Sequence, residues 1–344
     1  MGPLSAIYRV ILSGRSFYYT HIHKPGRLPS KVISIGNITL GGTGKTPAVI
    51  AVAEHAKALG LSPCILTRGY KGKVKGPCFV SKRNRILLNA EEAGDEAFLM
   101  AEKLSGIPVV IGKDRYLAGR FALNKHNNKR EEAECCNLFI LDDGFQHIAL
   151  HRDVDVLLID ATNPFSNERL FPEGRLREPL KAISRAHIIV LTKSDTAEKA
   201  SIDYAMRIIK RHNPNALIYT ASHKPTSLVN ISGDAEDIET LQNKKVYVFT
   251  GIANPSYFKS ILTSKGATVA RFKKFRDHHK YSQREIDKII RSADGMEIIT
   301  TEKDLVKLKG MKNTEDIRAL KIEFLIDEEF YTKLFEKVQA SENK

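Results

Sequence analysis

The chain has 344 residues, 42% apolar and 27% charged, enough to bury sizeable cores, which excludes a disordered or coiled-coil protein. Lys and Arg number 54 against 40 Asp and Glu, a formal charge of +14, and the excess is local: residues 1–90 hold 14 basic side chains and one acid, Glu54. No apolar run reaches the roughly 20 residues that span a bilayer. The four cysteines, Cys64, Cys78, Cys135 and Cys136, lack CxxC spacing, as expected for reduced thiols in a cytosolic protein. Charge alone admits nucleic acid, anionic lipid or a phosphorylated substrate.

In chain order, residues 1–22 begin with Leu4, Ile7, Tyr8, Ile11 and Leu12 at helical spacing and continue into Phe17, Tyr18 and Tyr19. An amphipathic helix at a membrane interface and a helix packed on the domain both satisfy this pattern. From Lys31 short β-branched runs alternate with helical stretches: strands at 32–35, 64–67, 109–111, 138–141, 154–159 and 188–191, helices at 44–59, 91–104, 114–125 and 196–211. The strands are apolar throughout rather than alternating, which predicts a largely parallel sheet covered on both faces. A pause at 212–215 and 223–225 precedes a second α/β series, with strands at 246–250, 268–272 and 297–300 and helices at 255–264 and 283–290. These patterns predict a core domain over 23–220 and a smaller domain over 221–344, whose last helix, 328–339, can pack on either.

The first strand runs into Gly36-Asn37-Ile38-Thr39-Leu40-Gly41-Gly42-Thr43-Gly44-Lys45-Thr46-Pro47, a strand, loop and helix carrying the GKT of a phosphate-binding P-loop. Glycines let successive N–H groups turn toward phosphate oxygens, the helix start at Gly44 presents its positive end, Lys45 reaches the β and γ phosphates, and Thr46 offers a hydroxyl to Mg²⁺. Thr39 stands where the strict motif has its first glycine, with Gly41 and Gly42 supplying the turn instead. Asp142 and Asp143 end another apolar strand at the same sheet edge, and either is placed to hold Mg²⁺. Asp160, ending strand 154–159, competes for that role.

Together with LTRGY at 66–70, GDE at 94–96, LDDGFQH at 141–147, PEGRLREP at 172–179, DHH at 277–279 and TTEKD at 300–304, the loop resembles the tetraacyldisaccharide 4′-kinase family of lipid A biosynthesis. The motifs span residues 36 to 304 in family order. The resemblance implies a P-loop NTPase-type α/β/α sandwich with a second, smaller α/β/α domain and the site in the cleft between them. It implies transfer of the ATP γ-phosphoryl group to the 4′-hydroxyl of an acylated glucosamine disaccharide 1-phosphate, at the cytoplasmic face of the bacterial inner membrane. Residue by residue, it makes Asp95 the catalytic base paired with His278, Glu178 a Mg²⁺ ligand, and Arg177 a group for the transferring phosphate. Because Asp95 and His278 fall in different predicted domains, they meet only if the domains close. Gln146 and His147 are expected beside the site, and Thr300, Lys303 and Asp304 match without an evident role beyond helix capping.

Thr192-Lys193-Ser194-Asp195 has the TKxD form of guanine-nucleotide proteins, so a GTPase-like metal chaperone or switch is the rival reading. Nucleic acid is a poorer partner, since Tyr70 and Phe79 are the only aromatics among the seven basic residues from Arg68 to Arg85. An anionic membrane surface, met by the N-terminal helix and that basic run, is the expected partner, with no obligate protein partner evident.

Overall fold

A computed structural model describes residues 2–126 and 136–341; Cys135 lies outside them. The first half comprises α1 (Pro3–Phe17), β1 (Lys31–Gly36), α2 (Lys45–Ala58), β2 (Pro63–Thr67), β3 (Cys78–Lys82), β4 (Arg85–Ile86), α3 (Ala90–Ala93), α4 (Asp95–Lys103), β5 (Val109–Ile111), α5 (Arg115–His126), β6 (Leu138–Asp142), β7 (Val154–Asp160), β8 (Ile188–Thr192) and α6 (Lys199–His212). The second contains β9 (Leu217–Val229), β10 (Ala235–Asp237), β11 (Lys245–Thr250), α7 (Pro255–Ser264), β12 (Thr268–Lys274), α8 (Gln283–Ala293), β13 (Glu297–Thr301), α9 (Glu302–Leu305), β14 (Ile317–Ile326) and α10 (Glu328–Ala340).

The strand order is β12-β11-β13-β14-β9-β8-β7-β1-β6-β2-β5-β3-β4, with β10 on β9. β1 lies parallel between β6 and β7, and β2, β6 and β8 are buried at every residue, which is why their sequences show no alternation. The α/β fold and mostly parallel sheet expected from the sequence are therefore present.

One strand joins the halves. β9 pairs parallel with β8 through Leu217–Ala221, then antiparallel with β14 from Ala221 to Val229. The boundary expected near residue 220 falls inside this strand, and the apparent pause at 223–225 is its middle. Pro225 is tolerated because the β14 ladder changes register beside its partner, Ile322. α10 then returns to the first half, burying Phe330, Leu334, Phe335 and Val338 in the cluster built on Ile33, Val49 and Val52.

The helix expected over 91–104 is broken at Gly94, whose φ of +92° and a virtual Cβ only 2.4 Å from Tyr70 O admit no side chain. Asn89 and Glu92 form a capping box on the short α3, and α4 begins at Asp95, with its first turn beside the site.

The helix α1 packs on the domain through one face. Ser5 is buried with its hydroxyl on Leu170 O (3.0 Å), Tyr8 donates to Arg177 O (2.9 Å), and Tyr8 and Leu12 pack on the core. Leu4, Ile7, Val10 and Ile11 remain exposed on the other face. No helix among the described residues is long and apolar enough to cross a membrane.

Candidate active site

The loop between β1 and α2 is clamped from outside. Asn37, fully buried, donates through Nδ2 to Thr39 O (2.8 Å) and Thr43 Oγ1 (2.9 Å), while Arg175 Nε donates to Leu40 O (3.0 Å). Gly44, at φ +79°, opens α2, and His223 of β9 packs so closely that a Cβ there would meet its Nε2 at 2.4 Å. Lys45 lies 3.4 Å from Asn37 Oδ1 and 3.5 Å from Asp143 Oδ1.

β6 delivers Asp142 and Asp143 to two different environments. Asp142 is buried, accepts from Thr67 Oγ1 on Oδ2 (2.8 Å), and leaves Oδ1 without a hydrogen-bond partner among the described residues. Burial, reinforced by the nearby Glu96 and Asp143 charges, pushes its carboxyl up to about 6. Asp143 instead takes Arg177 Nη1 on both oxygens (2.9 and 2.8 Å). Burial opposes its ionisation, but Lys45 and Arg177 outweigh that and hold it at about 2.

Glu178, expected as a Mg²⁺ ligand, has both oxygens engaged. Oε1 accepts from Gln146 Nε2 (2.9 Å) and Arg185 Nη2 (3.0 Å), and Oε2 from Arg185 Nη1 (2.7 Å). These contacts make it the anchor of Gln146 and Arg185 in this structure. The unpartnered buried oxygen of Asp142, with Thr46 on the same cavity wall, fits a magnesium ion.

The second half supplies His278 from the loop after β12. His278 Nδ1 lies 2.8 and 3.0 Å from the two Asp95 oxygens, so the pair expected only on closure is made in this structure. Lys303 Nζ lies 3.2 Å from His278 Nε2 and 2.9 Å from Glu96 Oε1. An ammonium only donates, which assigns Nε2 as acceptor and Nδ1–H as the donor to Asp95. Burial opposes ionisation of Asp95, but the His278 hydrogen bond and the Lys303 and Lys307 charges hold it below the usual carboxylate range.

These groups surround one cavity of about 1870 Å³ lined by residues 40–46, Asp142, Asp143, Arg177 and His278. Asp95 and Glu178 are buried one layer behind, each bonded to a wall residue, His278 and Gln146. Sequence reasoning missed Glu96 on this wall, although the GDE motif contained it, and Arg185 and Arg115, which no local pattern marked. His147 accepts from Arg115 N (3.3 Å), and burial with the Arg115 charge pushes its imidazole down to about 4.

The TTEKD residues divide their work. Thr301 caps α9, and Thr300 donates to Phe249 O. Asp304, fully buried, accepts from Thr250 Oγ1, Gly251 N, Thr301 Oγ1 and Tyr281 OH, which fixes the loop preceding α7. Lys303 alone faces the dyad.

Comparison with known proteins places the chain in a family. The family model for tetraacyldisaccharide-1-P 4′-kinase matches residues 1–339. The tetraacyldisaccharide 4′-kinase of Desulfotalea psychrophila is 39% identical over 312 residues, 89% of this chain and 86% of that protein. That of Syntrophus aciditrophicus is 37% identical over 321 residues, 90% and 83% of the two chains. The crystal structure of LpxK from Aquifex aeolicus in complex with ATP superposes with a TM-score of 0.77 at 33% identity, covering 98% of this chain and 97% of that one. The chain belongs to the tetraacyldisaccharide-1-phosphate 4′-kinase family.

Proposed function

We propose that this kinase moves the γ-phosphoryl group of ATP onto the 4′-hydroxyl of an acylated glucosamine disaccharide 1-phosphate, with Asp95 and His278 taking the hydroxyl proton as a unit. The observation that carries this is the Asp95–His278 hydrogen bond, formed between groups 183 residues apart at the wall of the P-loop cavity. His278 lines the cavity and Asp95 lies behind it, so the pair acts as a unit once Lys303 releases His278 Nε2 to the substrate hydroxyl. Residues 39–46 cradle the nucleotide phosphates. Lys45 and Arg177, both ordered by Asp143, neutralise charge on the transferring group, as a loose phosphoryl-transfer transition state requires. Thr46 and Asp142 would hold Mg²⁺, which supplies further charge neutralisation at the phosphates.

The substrate's acyl chains place this reaction at a membrane, and α1 is the surface suited to it, at the cytoplasmic face. Leu4, Ile7, Val10 and Ile11 form one exposed apolar row, with Phe171 also exposed. Transfer of each such side chain out of water is worth roughly 1.5–3 kcal/mol, so the row alone gives reversible, peripheral attachment. Lys73 is 2.9 Å from Glu91, and Lys71 and Lys75 donate to the Asp277 and Gly72 carbonyls. Such exposed contacts are weak enough to yield to anionic headgroups.

The test is a transfer assay on detergent-dispersed disaccharide 1-phosphate with ATP and Mg²⁺, product read by mass. A lipid carrying one added phosphate is expected; lipid-indifferent hydrolysis selective for GTP would instead support the switch reading of Thr192–Asp195.

A further inference from the structure

The Thr192–Asp195 turn is the sequence motif that the kinase reading leaves without a role. Asp195, the residue that would read a guanine, is exposed, whereas Thr192 and Lys193 are turned inward and buried. Lys193 is 2% exposed, and its ammonium has three partners: Gly42 O at 2.9 Å, the Asp160 carboxylate, and the face of Tyr257, whose ring centroid lies 4.7 Å away. Three donors and three acceptors make a satisfied buried cation. Thr192 Oγ1 lies 3.1 Å from the next carbonyl, Thr43 O, nearer than its other acceptor, Ile159 O, at 3.4 Å. Strand register puts these groups together, because Asp160 at the end of β7 pairs with Thr192 at the end of β8.

A trans peptide directs its C=O and the following N–H to opposite sides. Holding the Gly42 and Thr43 carbonyls from the β8 side therefore turns the N–H groups of Thr43 and Gly44 away from it. Those are two of the amides a phosphate loop uses, and without the clamps a glycine-rich segment would lose conformational entropy each time it ordered around an anion.

We propose that Thr192 and Lys193 are positioning residues that preorganise the phosphate loop, and that Tyr257 ties this device to the second half. Tyr257 stands on α7, so the face covering Lys193 is present only while α7 lies against the loop. A motif with the form of a base reader thus serves phosphate geometry.

The inference rests on residues 39–46 being the ATP phosphate site, and Lys45→Ala controls for that. The measurements are the dissociation constant of Mg-ATP, KM for the lipid, and Tm without nucleotide. Thr192→Val and Lys193→Met are each expected to weaken ATP about tenfold or more, with lipid KM within about twofold. Lys193→Met also lowers Tm, because it takes the cation from the partly buried Asp160 carboxylate, leaving it only its Thr162 hydrogen bonds. Adding Asp160→Asn restores Tm but not ATP affinity. Recovery of both in that double variant would mean Lys193 merely balances Asp160 and overturns the proposal. If Lys193→Met does not fold, Thr192→Val, which changes no charge, decides the matter: wild-type ATP affinity overturns it. Tyr257→Leu should weaken ATP and Tyr257→Phe, which keeps the ring face, should not. Unaltered ATP affinity in Lys45→Ala would sink the phosphate-site reading itself, whereas a loss there with Thr192→Val and Lys193→Met unaffected overturns the positioning role alone.

Discussion

The first half holds its functional groups by strand register, and the second half holds its groups by charge. Asp142, Asp160, Thr192 and the residues after Gly36 stand at the carboxyl edge of adjacent parallel strands, so hydrogen-bonded ladders place them to within a residue. A virtual Cβ on Gly36 would lie 2.7 Å from Phe145 N, showing how closely the turn after β6 packs behind the phosphate loop. His278 and Lys303, by contrast, reach the site from the loop after β12 and from the short helix α9 of the second half. They are kept there by ion pairs across the α4–α9 contact, Lys303 with Glu96 (2.9 Å) and Lys103 with Glu302 (2.7 Å), and by Lys309, just beyond α9, with Glu102. Under the proposed function this is a division of labour: a rigid ladder for phosphates, whose geometry is the same in every turnover, and a charge latch for the proposed proton acceptor, which has to admit and release a lipid.

Breaking the ladder side should cost most. Lys45→Ala is expected to lower kcat about 10³-fold or more, because a charge on the transferring phosphoryl group is lost in the transition state. Wild-type turnover would remove the phosphate-loop assignment. Next comes the dyad. Asp95→Ala and His278→Ala should each lower kcat about 10²- to 10³-fold with little change in ATP KM, and the double variant should be no worse than either. Full additivity would show that the two act separately.

Acid should act on the ladder side through Asp142. Its carboxyl is pushed up to about 6, and only the ionised form can hold Mg²⁺, so apparent Mg²⁺ affinity should fall about tenfold per pH unit below that value. The stability effect has the opposite sense. A folded pKa above the ordinary 3.8 means the native state binds the proton more tightly, so metal-free protein loses this stabilisation as pH rises from about 4 through 6. Comparing Tm against pH for wild type and Asp142→Asn isolates that component; identical profiles would argue that Asp142 is ionised throughout.

The latch should give smaller effects. Lys103→Glu is expected to reduce kcat a few-fold, more at low salt, and Glu302→Lys in the same chain should recover it, since this partly buried pair keeps enough contact with solvent for salt to screen it. No recovery would mean the pair does not hold the halves together. The smallest change on dispersed substrate should come from Ile7→Ser with Ile11→Ser. Vesicle binding should drop while kcat in detergent stays within about twofold; retained vesicle binding would move the membrane surface elsewhere.

Legibility followed the same divide. The parallel core, P-loop, Asp142–Asp143 pair and α1 were readable because each is a local pattern: an apolar run, a glycine loop, an acid at a strand end, a helical period. β9 and β14 were not, since β9 carries Pro225 and a burial pattern without clean alternation, and its pairing with β14 is set nearly 100 residues away. The split of α3 from α4 was hidden too, because Gly94 is required by Tyr70 O, a contact from another loop.

By itself the sequence carried the family and the phosphate loop, through residue types at fixed local spacing, and pointed to Asp95 and His278 only through what the family resemblance implies. Only the tertiary structure decided that Glu178 holds Arg185 and Gln146, that Asp142 keeps the free oxygen, and that Lys193 braces the loop. The reason is physical: a carboxylate or ammonium takes its role from whichever charges and carbonyls surround it once water is excluded, and those neighbours come from distant segments.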